Sequence, residues 1–165
     1  MDLSSILKSY DLKNLTIASL GGHSALDVCH GAKKDGFKTL VIAQKGREKT
    51  YNQYYRTRLW GKDGEKGCVD DVIVVDKFAD ILKPKIQADL RARNTIFIHN
   101  RYFWVYFEDF ARVENEFKVP IYGNRSLVKL EERDHPNNQY ELLKKAGIRI
   151  PKMFASPADI DRLVI

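Results

Sequence analysis

Seven side chains able to hold a charged ligand follow the ends of short apolar runs: His23, Lys45, Arg47, Lys49, His99, Arg101 and Arg125. Their settings are Gly21-Gly22-His23-Ser24, Gln44-Lys45-Gly46-Arg47-Glu48-Lys49, His99-Asn100-Arg101 and Gly123-Asn124-Arg125-Ser126. The chemistry these residues suit is phosphate binding. Gly21 and Gly22 let a backbone approach a ligand closely. Ser24 is placed to cap the next helix, whose free N–H groups and positive dipole end favour a phosphate. His23 can hydrogen-bond a phosphate or sugar oxygen. Arg125, following Gly123-Asn124, can present a planar donor fork to a phosphate, and a surface ion pair explains it as well. Lys45, Arg47 and Lys49 can equally just solvate a loop. His99, Arg101 and Tyr102 border the apolar segment Tyr102–Phe107, which core or interface packing also accounts for.

Bond-making residues do not stand out, so no catalytic residue and no metal ligand is assigned. His23, His30, His99 and His135 lack metal-site spacing. Asp70-Asp71 and Glu131-Glu132 are paired acids of ordinary surface type. There is no Walker loop, dinucleotide fingerprint or nucleophile elbow. Cys29 and Cys68 form no CxxC pair and no disulfide framework.

The elements that must position these loops alternate along the chain. Residues 16–20, 39–43, 72–75 and 95–98 are continuous, mostly β-branched runs, and 119–122 is a shorter fifth. Strands without polar alternation are covered on both faces, as in a parallel sheet. Ala25, Val28, Cys29 and Ala32 share one helical face that Asp35-Gly36 closes. Phe78, Ile81, Leu82, Ile86 and Leu90 predict another helix, started or kinked at Pro84. Further helices are expected over 107–116, 126–132 and 138–146. Strand–helix alternation with right-handed crossovers gives a doubly wound, mostly parallel, three-layer α/β fold. The loops then share the rim at the carboxyl ends of the strands, where such folds bind ligands. Trp60–Cys68, rich in Gly and Lys, reads as a mobile surface loop. Ser156-Pro157 is a good helix start, and Leu163–Ile165 reads as the beginning of a further strand.

The 165 residues suit one domain with a real core, and no apolar run reaches the roughly 20 residues of a membrane helix. The first residues lack the basic and apolar regions of a signal peptide, so a cytoplasmic location is expected. The net charge of +6 permits anionic partners without choosing among a phosphate ester, RNA and an acidic protein. Acids are interspersed throughout, and the aromatics do not follow the pattern of an RNA-binding sheet.

Taken in order, these segments resemble archaeal 5-formaminoimidazole-4-carboxamide ribonucleotide synthetases. Leu20-Gly21-Gly22-His23-Ser24-Ala25-Leu26, His30–Phe37, Lys45-Gly46-Arg47-Glu48, Tyr122-Gly123-Asn124-Arg125, Leu142–Pro151 and Ser156–Asp161 carry the resemblance, which spans Leu15 to Ile165. It implies a Rossmann-like pre-ATP-grasp domain over residues 1–150 that helps hold a ribonucleotide monophosphate. Residues 151–165 would lead into an ATP-grasp domain absent from this chain. It also implies an enzyme that uses ATP, Mg²⁺ and formate to formylate aminoimidazole carboxamide ribonucleotide in IMP biosynthesis. Those cofactor sites would lie outside this chain, which by itself would be inactive and bind no cofactor.

By position, His23 is the substrate-contacting histidine of the family, and Gly21, Gly22, Ser24, Lys45, Arg47, His99, Arg101, Tyr102, Asn124 and Arg125 complete the expected substrate site. One departure matters: Tyr102 stands where the family has a substrate-contacting serine, so another ribonucleotide substrate is open. A stand-alone nucleotide-binding module, a divergent paralogue and a basic RNA-binding domain are the alternatives, and a homo-oligomer is also open.

Overall fold

The apolar runs at 16–20 and 39–43 become strands with side chains covered on both faces, whereas the run at 72–75 forms an edge strand that leaves Val74 exposed. In the computed structural model, which describes residues 4–100, 106–107, 110–125 and 136–161, the strands are β1 (Thr16–Leu20), β2 (Lys38–Gln44), β3 (Arg58–Leu59), β4 (Glu65–Lys66), β5 (Asp71–Val75) and β6 (Thr95–Phe97). The α-helices are α1 (Ser4–Leu7), α2 (Ala25–Lys34), α3 (Pro84–Ala92), α4 (Phe110–Glu116) and α5 (Gln139–Lys145). The chain divides into two compact units, residues 1–128 and 129–165.

In the first unit the four long strands form a parallel sheet in the order β5-β2-β1-β6, with Thr16 opposite both Lys38 and Thr95, and Leu40 opposite Asp71. Adjacent residues of β2 feed opposite cores, as the two-residue period of a strand requires. Leu40 and Ile42 join Phe78, Ile81, Leu90, Phe97, Val113 and Phe117 on one side. Val41 and Ala43 join Ala25, Cys29, Tyr51, Cys68 and Val69 on the other. The Phe97 and Phe117 rings meet edge to face at 5.4 Å, a favoured geometry for their quadrupoles. Cover on both faces makes this a three-layer α/β fold.

Several local expectations change form. The fifth strand is reduced to one parallel bridge, Phe97 to Ile121. Phe97 N donates to Pro120 O at 2.8 Å and Tyr122 N to Phe97 O at 2.9 Å; Pro120 has no N–H to extend the ladder, and Gly123, at φ +92°, turns the chain away. The helix around Pro84 is split into a 3-10 turn over Phe78–Leu82 and α3, because Lys83, before the proline, is extended.

The Trp60–Cys68 segment is not a featureless loop. β3 and β4 pair antiparallel, Arg58 with Lys66 and Leu59 with Glu65, and Trp60 N donates to Gly64 O at 2.7 Å. A π-helical turn at Thr50–Tyr54 has no counterpart in the sequence reading.

In the second unit, Asn138 caps α5 by accepting from Tyr140 N at 2.9 Å. Ser156 and Asp159 form a capping box around a single 3-10 turn, Pro157–Asp159. The expected helix over 126–132 and the expected strand start at 163–165 lie outside the described residues. Among the described residues no helix is long and apolar enough to cross a membrane.

Candidate functional site at the carboxyl ends of the sheet

From β1 the chain steps to β2 and on to β5 in one direction, then returns to β6 on the other side of β1. Where the strand order reverses, the chain leaves β1 for α2 on one face of the sheet and follows β6 toward α4 on the other, the position at which open α/β sheets bind ligands. The loop after β1 is tightly built. Gly21 is buried, and its N donates to Ile42 O at 2.7 Å. A β-carbon on Gly21 would lie 2.8 Å from Tyr51 Cε2 and 3.1 Å from Ile42 O. Tyr51, from the π-helical turn, donates its hydroxyl to Gly22 O at 3.4 Å. The glycine is needed here for close approach of protein to protein, which sets the height of the loop above the sheet.

His23 is exposed beside it, and its Nδ1 is 2.6 Å from Ser24 Oγ, which leaves Nε2 directed elsewhere on the ring. The expected Ser24 side-chain cap is therefore corrected: Ser24 has φ −100° and ψ 0° and makes no capping bond, since a capping side chain needs extended backbone to reach back. The start of α2 keeps N–H groups that no side-chain cap consumes.

On the β6 side of the reversal, Asn100 donates to Leu20 O at 2.8 Å and Ser19 Oγ at 3.2 Å. This joins the loop after β6 to the end of β1, with His99 half-buried next to it. After β2, Lys45, Arg47 and Lys49 are exposed. Arg47 reaches across to donate to Tyr106 Oη at 3.2 Å, and Tyr106 packs on Phe78 at 5.1 Å between ring centroids. The same segment holds three buried acceptors without a protein partner: Gln44 Oε1, Glu48 Oε2 and Asn52 Oδ1.

Arg125 is placed differently from the phosphate fork expected of it. Its Nη1 donates to Val113 O at 3.0 Å and to Phe117 O, and its Nη2 to Val119 O at 2.9 Å. These are carbonyls at the end of α4 and just beyond it, where cationic donors are favourable. Burial pulls its pKa below the usual guanidinium value, and Glu114 acts the other way. Asn124 is exposed on the preceding turn. Arg101 and Tyr102 lie outside the described residues.

Sequence reasoning passed over Asn100, Tyr51 and Tyr106. Ser19, a polar residue inside a buried strand, was the available signal for Asn100, since buried hydroxyls require partners. Among the described residues no group of three or more His, Cys, Asp or Glu is arranged to hold a metal ion.

Residues 17–154 match a family model described as a protein of unknown function, DUF1246. The chain is 38% identical over 164 residues to a protein of Methanopyrus kandleri named 5-formaminoimidazole-4-carboxamide-1-(beta)-D-ribofuranosyl 5'-monophosphate synthetase, covering 99% of this chain and 42% of that protein. A protein of the same name from Methanothermobacter thermautotrophicus is 37% identical, over 99% of this chain and 41% of its own length. The chain thus spans about two fifths of these relatives. The crystal structure of an IMP biosynthesis protein PurP from Thermococcus kodakaraensis superposes with a TM-score of 0.58 at 24% identity, covering 88% of this chain and 41% of that one, a likeness of fold.

Proposed function

The chain belongs to the DUF1246 family, and on that premise we propose that it is the ribonucleotide-binding portion of an ATP-dependent ligase that formylates aminoimidazole carboxamide ribonucleotide with formate, toward IMP. The names of its relatives support the reaction class. The observation that supports the binding role is the start of α2 at the strand-order reversal, where no side chain caps the helix.

A phosphate at the start of α2 meets backbone N–H groups and the positive end of the helix dipole. His23, its Nδ1 held by Ser24, keeps Nε2 for a sugar or phosphate oxygen. Lys45 and Arg47 add positive potential that draws the anion in. Gln44, Glu48 and Asn52 offer acceptors to ligand hydroxyl or amino groups, and buried acceptors gain most from such partners. His99 and Asn100 flank the position of the base.

Residues 1–150 form the ribonucleotide-binding domain on this reading, and 151–165 lead toward the catalytic module. ATP, Mg²⁺ and formate chemistry is assigned, on the resemblance, to the part of the relatives' length that this chain does not span.

The test is calorimetry with aminoimidazole carboxamide ribonucleotide against other ribonucleoside monophosphates, on this chain and on His23→Ala. The carboxamide should bind best, and His23→Ala should weaken it by roughly tenfold, the equivalent of one lost polar contact. Equal affinity for all monophosphates would overturn the substrate. Affinity for RNA falling steeply with salt would overturn the pocket in favour of a phosphate-backbone surface.

A further inference from the structure

The turn after β2 carries two buried acceptors that the protein leaves unused. Glu48 Oε2 and Asn52 Oδ1 are shut off from solvent and have no hydrogen-bond partner among the described residues. An ionised carboxylate only accepts, and a buried acceptor left unpaired costs more than the same bond, once made, contributes. Folded proteins keep few such groups, and an unpaired one calls for an explanation.

The backbone ties both residues to the loop after β1. Tyr51 N and Asn52 N donate to Glu48 O at 3.0 and 2.9 Å, so the three residues belong to one helical turn. Side chains at positions i, i+3 and i+4 of such a turn share a face. Tyr51 shows where that face looks, because its ring lies against Gly21 and its hydroxyl reaches Gly22 O at 3.4 Å. Glu48 and Asn52 therefore flank the ring on the side of the loop that leads into α2.

We propose that Glu48, assisted by Asn52, selects the ribose of the bound nucleotide by accepting from its 2′ and 3′ hydroxyls. The inference rests on the ribonucleotide reading of the site and adds the residue that tells ribose from deoxyribose. With the phosphate at the start of α2, the donors a ligand still offers are its sugar hydroxyls and the nitrogens of its base. Strand order separates the two. β2, which leads to Glu48, and β6, which leads to His99 and Asn100 beside the base, lie on opposite sides of β1. In doubly wound folds that bind dinucleotides, an acid beyond the second strand accepts from the ribose. Two carboxylate oxygens also match a vicinal diol, one bond to each.

The test is calorimetry of aminoimidazole carboxamide ribonucleotide and its 2′-deoxy and 2′,3′-dideoxy forms, on the native chain and on Glu48→Ala, Glu48→Gln and Asn52→Ala. The native chain should bind the ribonucleotide roughly thirtyfold tighter than the dideoxy form, the worth of hydrogen bonds to a charged acceptor. Glu48→Ala should abolish that ratio by weakening only the forms that keep hydroxyls. Glu48→Gln, which keeps the shape, should lose part of it, and Asn52→Ala about fivefold. Because Glu48 Oε2 has no partner in the free chain, the urea midpoint of ligand-free Glu48→Gln should not fall below the native one. Equal binding of all three forms by the native chain overturns this inference and leaves the ribonucleotide site standing. So does a ratio that survives in Glu48→Ala, or a lowered midpoint in Glu48→Gln with the native ratio kept, which makes Glu48 a structural carboxylate. Failure of the native chain to bind any of the three overturns the proposed function and this inference together.

Discussion

Replacing Gly21 with alanine asks whether the loop after β1 is held down by Tyr51. The new methyl carbon would lie 2.8 Å from Tyr51 Cε2, 3.1 Å from Ile42 O and 3.3 Å from Ala43 Cα, against about 3.5–4.0 Å for relaxed carbon contacts. Two of these neighbours are backbone inside the sheet, and the third is a buried ring. Overpacking of this kind costs about 1–3 kcal/mol. Against it, alanine restricts the unfolded chain and returns about 0.4–1 kcal/mol, because Gly21 does not use the left-handed region. The net loss expected is roughly 0.5–2.5 kcal/mol, or a few degrees in Tm for a chain of this size.

Urea denaturation of the single variants and of a double variant measures the cause. In a Tyr51→Ala background the shortest contact is gone, so Gly21→Ala should cost about 1 kcal/mol less than in the native chain, a coupling typical of touching residues. In Tyr51→Phe the ring remains, and the full cost should return. The reasoning fails if Gly21→Ala is neutral, or if its cost is the same in all three backgrounds.

Arg125→Ala should destabilise the chain by about 2–3 kcal/mol, because three carbonyls near the end of α4 lose charged donors. Hydrogen exchange should quicken in α4 while ribonucleotide affinity stays within about twofold; unchanged stability with a large loss of affinity would return Arg125 to the ligand. For Asp70, burial pushes the carboxyl pKa up, but the bonds from Lys33 Nζ at 2.6 Å and Thr39 N at 2.9 Å outweigh it and hold the value below the ordinary range. A folded pKa below the unfolded one means full stabilisation above about pH 4 and its loss as pH falls through the folded value. Asp70→Asn should therefore destabilise at pH 7, and its gap from the native chain should close below about pH 4. A gap independent of pH would refute this account.

Patterns confined to about ten residues were legible before any coordinates. The apolar runs at 16–20, 39–43, 72–75 and 95–98 became the parallel sheet, and Asp35-Gly36 and Pro84 mark helix ends where they stand in the fold. The order of short motifs from Leu20 to Asp161 also carried the family. What lies beyond that reach is the partner of each polar side chain. Arg125 turned to the carbonyls at the end of α4 and just beyond it, Ser24 turned to His23, and Tyr51 set the height of the loop at Gly21. Asn100 bonds Ser19 across 81 residues and Arg47 meets Tyr106 across 59. Strand and helix propensity are properties of the local chain and repeat with its period. A hydrogen bond belongs to two segments at once, and only the packing of the sheet and its covering layers brings those segments within 3 Å or so of each other.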